Sequence, residues 1–249
     1  MTVERALVLA GQRPGADPLA DYAGVSQKAL ILIGGAPMLS RVVTALRDAG
    51  LRRIAVSTAD PAVAALAREL GCEALPAEAG PSLSALRGVE TLAPPLLVTT
   101  ADHALLRPEW VSQLLQDAPA SADISVLLAR RATVEAAAPG ARRTYLKFAD
   151  GEWSGCNLFL VRNDRALGAI RLWSTLEADR KRPWRIIGRL GPAILARYAL
   201  GRLSLAEALR RLGALSGAAA AAVESPFGLA AVDVDKPADL DLVRRLAEP

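Results

Sequence analysis

Ala6-Leu7-Val8-Leu9-Ala10 is an unbroken apolar run that stops at Gly11 and gives way to Gln12-Arg13-Pro14-Gly15, a polar interval, and then Ser26-Gln27-Lys28-Ala29-Leu30. A buried strand that opens abruptly into small residues, backbone N–H groups and cations is how a sheet delivers a chain to a phosphate group. The stretch therefore reads as a site for a nucleoside triphosphate. Gly11 and Gly15 permit close backbone approach and positive φ, and Arg13 and Lys28 can neutralise phosphate oxygens. A dinucleotide fingerprint fails on its glycine spacing, and a P-loop fails because no Gly-Lys-Ser/Thr follows. An ordinary glycine-rich turn fits the same residues.

The rest of the chain supplies the sheet that such a loop needs. The first strand is predicted over Val3 to Ala10, with a second over Ala29 to Ile33 closed by Gly34-Gly35. Leu39, Val42, Val43 and Leu46 recur at helical spacing after Pro37, and Gly50 ends that helix. Strands at Arg53 to Ser57 and Glu73 to Leu75 alternate with helices at Pro61 to Leu70 and Ser82 to Thr91, the pattern of a parallel sheet covered by helices. Leu96 to Thr100 is a continuous apolar and β-branched run suited to a central strand buried on both faces. A helix from Pro108 to Ala118 and a strand from Ile124 to Ala129 follow. Tyr145 to Phe148, the turn Asp150-Gly151 and Asn157 to Val161 read as an antiparallel hairpin. Ala166 to Leu212 reads as helical, with Ser204 and Glu207 forming a capping box. Ala230 to Val234 reads as a last strand and Pro237 to Leu246 as a closing helix. No repeat or low-complexity linker divides the 249 residues, so residues 1–249 are read as one α/β domain carrying a helical insertion at 166–212.

Composition narrows the chemistry. Residues of hydrophobic type make up 52% of the chain, enough for a sizeable core, yet no apolar tract approaches the ~20 residues of a membrane span. No signal peptide is apparent, since the first apolar run is short and leads into the candidate site, so a soluble cytoplasmic protein is expected. The two cysteines, Cys72 and Cys156, and the single histidine, His103, provide neither a disulfide framework nor a zinc site. A net charge of +4 suits anionic small molecules and is too mild to argue for nucleic acid.

Acidic residues then stand where a metal would be useful. Asp102 ends the predicted central strand, where ligands of open α/β sheets gather, and a carboxylate there can hold Mg2+ against triphosphate oxygens or simply cap a helix. Val232-Asp233-Val234-Asp235 brings two more acids. Asp235, just before Lys236-Pro237, is placed to cap the last helix, which leaves Asp233 as the second metal ligand. His103 adjoins Asp102 and fits either contact with an acceptor phosphate or packing.

Leu9-Ala10-Gly11, Lys28, Gly35-Ala36-Pro37-Met38-Leu39, the strand ending at Asp102, and Val232-Asp233-Val234-Asp235-Lys236-Pro237-Ala238-Asp239-Leu240 together resemble the MobA-like nucleotidyltransferases. The resemblance implies a Rossmann-like fold of GT-A type with a mostly parallel sheet. It further implies Mg2+-dependent transfer of a nucleoside monophosphate from an NTP, GTP or CTP favoured, to a small phosphorylated acceptor, with pyrophosphate leaving. Leu9, Ala10, Gly11, Gly15 and Lys28 would embrace the nucleotide, and Ser82 would lie in the segment that reads the base or cap its helix. Lys28, Asp102 and Arg13 would carry catalysis, Asp102 with Asp233 would hold Mg2+, and Lys147 with Ser154 to Asn157 would line the acceptor side. Two features depart from the family: Gln12 replaces a usual glycine, and Ala16 falls near the position of a usual arginine. The loop to Lys28 is also about five residues longer than is usual. A GT-A glycosyltransferase using a nucleotide sugar and a non-catalytic nucleotide-binding regulator remain as alternatives. Seven cations and no acid lie between Arg180 and Arg202, either as a solvated face or, with Trp173, Trp184 and Tyr198, as a contact with an anionic membrane surface.

Overall fold

The computed structural model describes residues 2–11, 17–178 and 191–247. The apolar run becomes β1 (Arg5–Leu9), flanked in parallel by β4 (Arg53–Thr58) and β6 (Leu96–Thr100). Alternate residues of β1 enter different cores: Ala6 and Val8 pack on one face of the sheet, Leu7 and Leu9 on the other. This is what a strand covered by helices on both faces must do. On the Leu7 face, helix α4 (Pro81–Leu92) approaches so closely that a Cβ on Gly88 would lie 2.3 Å from the Leu7 side chain. Before α4 come α1 (Pro18–Ala23), α2 (Met38–Asp48) and α3 (Pro61–Glu69).

The sheet has eight strands, ordered β10-β7-β9-β6-β1-β4-β5, with β8 paired to β9. Here β5 is Glu73–Pro76, β7 Ile124–Arg130, β8 Leu146–Phe148, β9 Gly151–Val161 and β10 Ala220–Ser225. Every pairing in it is parallel except those made by β9. The expected mostly parallel α/β architecture and the hairpin around Asp150 are therefore present. The carboxyl ends of β1, β4, β6 and β7 open on one edge, and β9, running the other way, brings its first half to that same edge beside β7. Helices α5 (Pro108–Asp117) and α6 (Arg131–Ala137) flank this half of the sheet.

Three expectations are corrected. Lys28–Leu30 is a 3-10 turn, and only Leu32–Ile33 (β2) is extended and paired, with Ala36–Pro37 (β3), in a separate two-stranded ribbon. Gly34 and Gly35, at φ of 58° and 78°, form the bend that apolar patterning alone does not reveal. Ala230 to Val234 is not a strand: Gly228–Ala231 is a 3-10 turn and Val232 onward runs extended without a ladder. The ladder belongs instead to β10, an alanine-rich run whose β-propensity is low and whose place is decided by pairing with β7. Among the described residues, the span from Ala166 comprises α7 (Ala166–Ala178), α8 (Pro192–Ala199) and α9 (Leu205–Ser216), with residues 200–204 interrupting the expected helix before α9, which is opened by the expected Ser204/Glu207 capping box. Helix α10 (Pro237–Ala247) closes the chain.

Candidate active site

The open edge of the sheet gathers one cation and two carboxylates. At the end of β1, Ala10 N donates to Ser57 O at 2.9 Å, and Ala101 N donates to Leu9 O at 3.0 Å. Leu9, Ala10 and Gly11 are thus tied between the ends of β4 and β6. A Cβ on Gly11 would meet that of Ala77 at 3.8 Å, which places the loop before α4 alongside. Gln27 is buried, donates from Nε2 to Ala10 O at 2.7 Å, and accepts from Ala29 N through its own carbonyl. One side chain therefore both starts the 3-10 turn and fastens it to β1, which fixes the position of Lys28.

Lys28 Nζ lies 2.5 Å from Asp102 Oδ2 and 3.0 Å from Asp235 Oδ1. Asp235 reaches it because Val234 N donates to Asp102 O at 3.1 Å, docking the extended segment 232–235 beside the end of β6. The other oxygen of Asp102, Oδ1, is buried without a hydrogen-bond partner. Burial opposes a charge on Lys28, but Asp102 and Asp235 outweigh it and raise the ammonium above its ordinary value, so Lys28 is a permanent cation. Burial raises the Asp102 carboxyl and the nearby Asp233 adds to this, against the pull of Lys28.

A second cluster inverts the pattern, with one carboxylate between two donors. Asp233 Oδ1 accepts from Arg143 Nη1, and Asp233 Oδ2 accepts from Asn157 Nδ2 at 2.7 Å. Burial works to raise the Asp233 carboxyl, but the bonds and charge of Arg143 with the Asn157 amide prevail and hold it below the usual range. Asn157 can reach because β9 is bulged there: Val126 pairs with Phe159 and Leu128 with Gly155, and Asn157 takes φ 50°. A bulge that re-aims a side chain is common beside functional sites. Arg143 and Asn157 line a cleft of about 300 Å³ with Arg142, Ser154, Gly155, Asp235 and Lys236.

The residues expected from sequence are distributed unevenly over these clusters. The structure brings together Leu9, Ala10, Gly11, Lys28 and Asp102. Arg13 and Gly15 lie outside the described residues, as do Gln12 and Ala16. Asp233, expected as the second metal ligand, has both of its oxygens engaged by Arg143 and Asn157, while Asp235 is the acid of this segment that meets Lys28. Asp235 does not cap α10; Asp239 does so, accepting from Lys236 N at 3.0 Å and Asp235 N at 3.3 Å. In the absence of a ladder between residues 232 and 235, the two acids diverge to different partners.

Ser82 is neither the cap of α4, which Gly80 provides, nor a free hydroxyl: it donates to Glu177 Oε2 at 2.5 Å. Glu177 also accepts from Ser82 N at 3.3 Å, so α7 sets a carboxylate at the positive end of α4. His103 is 1% exposed and stacked on Trp110 at 5.7 Å. Burial lowers it to about 4, so near neutral pH it is an uncharged, buried residue. Lys147 is exposed on the hairpin and lies 3.5 Å from Glu152. Of the basic segment, Arg180, Lys181, Arg182, Arg185 and Arg189 lie outside the described residues with Trp184. Arg197 pairs with Glu207 at 2.8 Å, Tyr198 meets Phe148 edge-on and Trp173 stacks on Phe159, contacts internal to the fold. Among the described residues no helix is long and apolar enough to cross a membrane.

Gln27, Arg143 and Glu177 belong to no motif visible in the sequence. For Arg143 no local pattern exists, because its partner Asp233 is 90 residues away. For Asp235 there was a signal: Asp239 stands four residues on, at a position suited to reach back and cap the helix.

The profile of the MobA-like NTP transferase domain matches residues 6–212. The chain belongs to the MobA-like NTP transferase family. A phosphoenolpyruvate guanylyltransferase of Rubrobacter xylanophilus is 45% identical over 84 residues, which are 32% of this chain; the match spans 41% of that relative's length. A solved structure from Thermus thermophilus, described as a hypothetical transferase, superposes with a TM-score of 0.82 at 32% identity, covering 96% of this chain and all of that one. A CMP:2-keto-3-deoxy-manno-octonic acid synthetase complexed with CTP shares the fold at 20% identity, with a TM-score of 0.56 over 97% of this chain and 98% of that one. A nucleotidyl transferase from Methanothermobacter does so at 17% identity, with a TM-score of 0.59 over 98% and 96% of the two chains.

Proposed function

We propose that this MobA-like chain transfers a nucleoside monophosphate from an NTP to a small phosphorylated acceptor and releases pyrophosphate, using Mg2+. The observation that carries the reading is Lys28 Nζ held between Asp102 and Asp235, on a turn that Gln27 fastens to Ala10 at the carboxyl edge of the sheet. GTP is the first candidate donor, supported by the guanylyl chemistry in the name of the Rubrobacter relative. The whole described chain serves as one catalytic domain in this reading, with residues 166–212 a helical addition to it.

The donor set fits a magnesium ion. Asp102 Oδ1 is a buried oxygen acceptor with no partner, and Asp235 is a second carboxylate within reach of the same ammonium. Magnesium is commonly bound by one or two carboxylates together with substrate phosphate. Asp102 and Asp235 would hold the ion, which when bound neutralises charge on the triphosphate. Lys28, a cation at every physiological pH, is drawn to the same phosphates. The backbone at Ala10 and Gly11 leaves room for them, since no side chain rises from Gly11.

The acceptor would enter the cleft of Arg142, Arg143 and Lys236, whose cations suit a phosphate. Its oxygen attacks the α-phosphorus, the bond from that phosphorus to the bridging oxygen breaks, and pyrophosphate leaves with the electron pair. A phosphate acceptor is already ionised near neutrality, so no general base is required, in keeping with a buried, neutral His103. What the chain contributes is position and charge.

The glycosyltransferase alternative relies on Asp233-Val234-Asp235 acting jointly on a metal, and the engagement of Asp233 by Arg143 and Asn157 weighs against it. The test crosses the four NTPs with phosphates of sugars, polyols, amino alcohols and enolpyruvate, with Mg2+ present, and follows pyrophosphate. Release with at least one pair is expected. Tight NTP binding with no pyrophosphate from any pair would favour a nucleotide-binding regulator and overturn the transfer reading.

A further inference from the structure

We infer that Asp233 is a positioning residue of the acceptor side, clamping Arg143 and Asn157 into the cleft so that they receive an anionic group, and is not a ligand of the metal. The inference rests on the proposed transfer reaction only in taking that cleft as the acceptor site.

Asp233 has the surroundings of an internal brace. It is 7% exposed, and each of its oxygens meets a different donor: Arg143 Nη1 on one side and Asn157 Nδ2 on the other. A metal ligand needs an available oxygen, and the acid in this segment that offers one is Asp235, 57% exposed at its side chain. Buried charge pairs are poor sources of stability, because desolvation cancels much of the attraction. Their best use is to fix geometry. Arg143 is nearly buried, and its Nε has no hydrogen-bond partner, so the Asp233 contact is what sets the plane of the guanidinium. A guanidinium so fixed keeps further N–H donors in a rigid fork suited to a phosphate or carboxylate.

The other arm carries strain. Asn157 adopts φ 50° at the bulge of β9, a conformation that L-residues other than glycine reach at a cost. The Asp233 bond holds that side chain at the cleft wall, next to Ser154 and Gly155. Two elements that no short-range pattern connects, the loop after α6 and the bulged strand, are thereby locked to the segment that also delivers Asp235. The donors on the acceptor side are consequently preset relative to the nucleotide side before any acceptor arrives.

The experiment compares wild type, D233N, D235N, R143A and the double variant D233N/R143A, with folding checked by circular dichroism and thermal melting. Two probes are titrated directly: Mn2+ alone, followed by electron paramagnetic resonance, and inorganic phosphate, followed by calorimetry. D233N is expected to weaken phosphate binding about tenfold while leaving Mn2+ affinity within about twofold, and D235N to do the reverse. The double variant should bind phosphate no more weakly than R143A, because Asp233 acts through Arg143. With the acceptor found in the panel above, D233N should raise KM and leave kcat within about threefold. A loss of Mn2+ affinity in D233N comparable to that in D235N overturns the inference and leaves the transfer reaction standing. So does phosphate binding by D233N equal to that of wild type. Failure of wild type to bind phosphate at all removes the cleft as acceptor site and this role with it.

Discussion

The cluster proposed as the nucleotide side surrounds one cation with two acids, and the cluster proposed as the acceptor side surrounds one acid with two donors. Lys28 between Asp102 and Asp235 is partly open, and its partners include an exposed carboxylate. Asp233 between Arg143 and Asn157 is enclosed. The difference follows from what each must do. Charges that meet a triphosphate and a metal have to exchange partners in each turnover, which requires that one of them be reachable. Charges that only orient an acceptor can be paired permanently, and pairing them internally satisfies the demand that a buried ion have partners.

Substitutions on the two sides should therefore fail in different ways. The largest effect is expected for Asp102→Ala, which should lower turnover by about a thousandfold or more while circular dichroism shows an intact fold. Mg2+-dependent pyrophosphate release by that variant at the wild-type rate would sink the assignment of the nucleotide side. Lys28→Met should reduce kcat/KM for the NTP by about a hundredfold, since it removes the cation that meets the phosphates. A steady-state assay that finds only the acceptor KM changed would put Lys28 on the wrong side of the comparison.

Arg143→Lys keeps the charge but loses the fork, and the expected outcome is a rise of about tenfold in acceptor KM with little change in NTP KM. Equal effects on both substrates would dissolve the distinction between the two sides. The smallest effect belongs to Ser82→Ala. Because its hydroxyl is bound to Glu177, the loss should appear as about 1 kcal/mol of stability in urea titrations, with NTP KM unchanged. A selective increase in NTP KM would return Ser82 to the nucleotide.

The nucleotide side was largely legible in the sequence, and the acceptor side was not. Gly11, Lys28 and Asp102 stand at the ends of apolar runs, and the boundary between a buried strand and a polar loop is a local signal. Even so, the apolar run Ala29 to Ile33 reads as one strand and does not reveal the turn set by Gln27 and the paired glycines, which leaves only Leu32–Ile33 extended and paired. Arg143, Asp233 and Asn157 come from a loop, an unpaired extended segment and a strand bulge. None of these has a periodicity to read, and a bulge displaces a side chain by a count that sequence does not record.

By itself the sequence determined a mostly parallel sheet, the central place of Leu96 to Thr100 within it and the edge on which chemistry would gather, because hydrophobic patterning is written residue by residue along the chain. Tertiary structure alone decided that Asp235 rather than Asp233 meets Lys28, that Asp239 caps α10, and that Ser82 is tied to Glu177. Each of these is a choice among several carboxylates that differ little in local sequence. It is settled by which donor lies within about 3 Å in the folded chain, a distance fixed by the packing of distant segments.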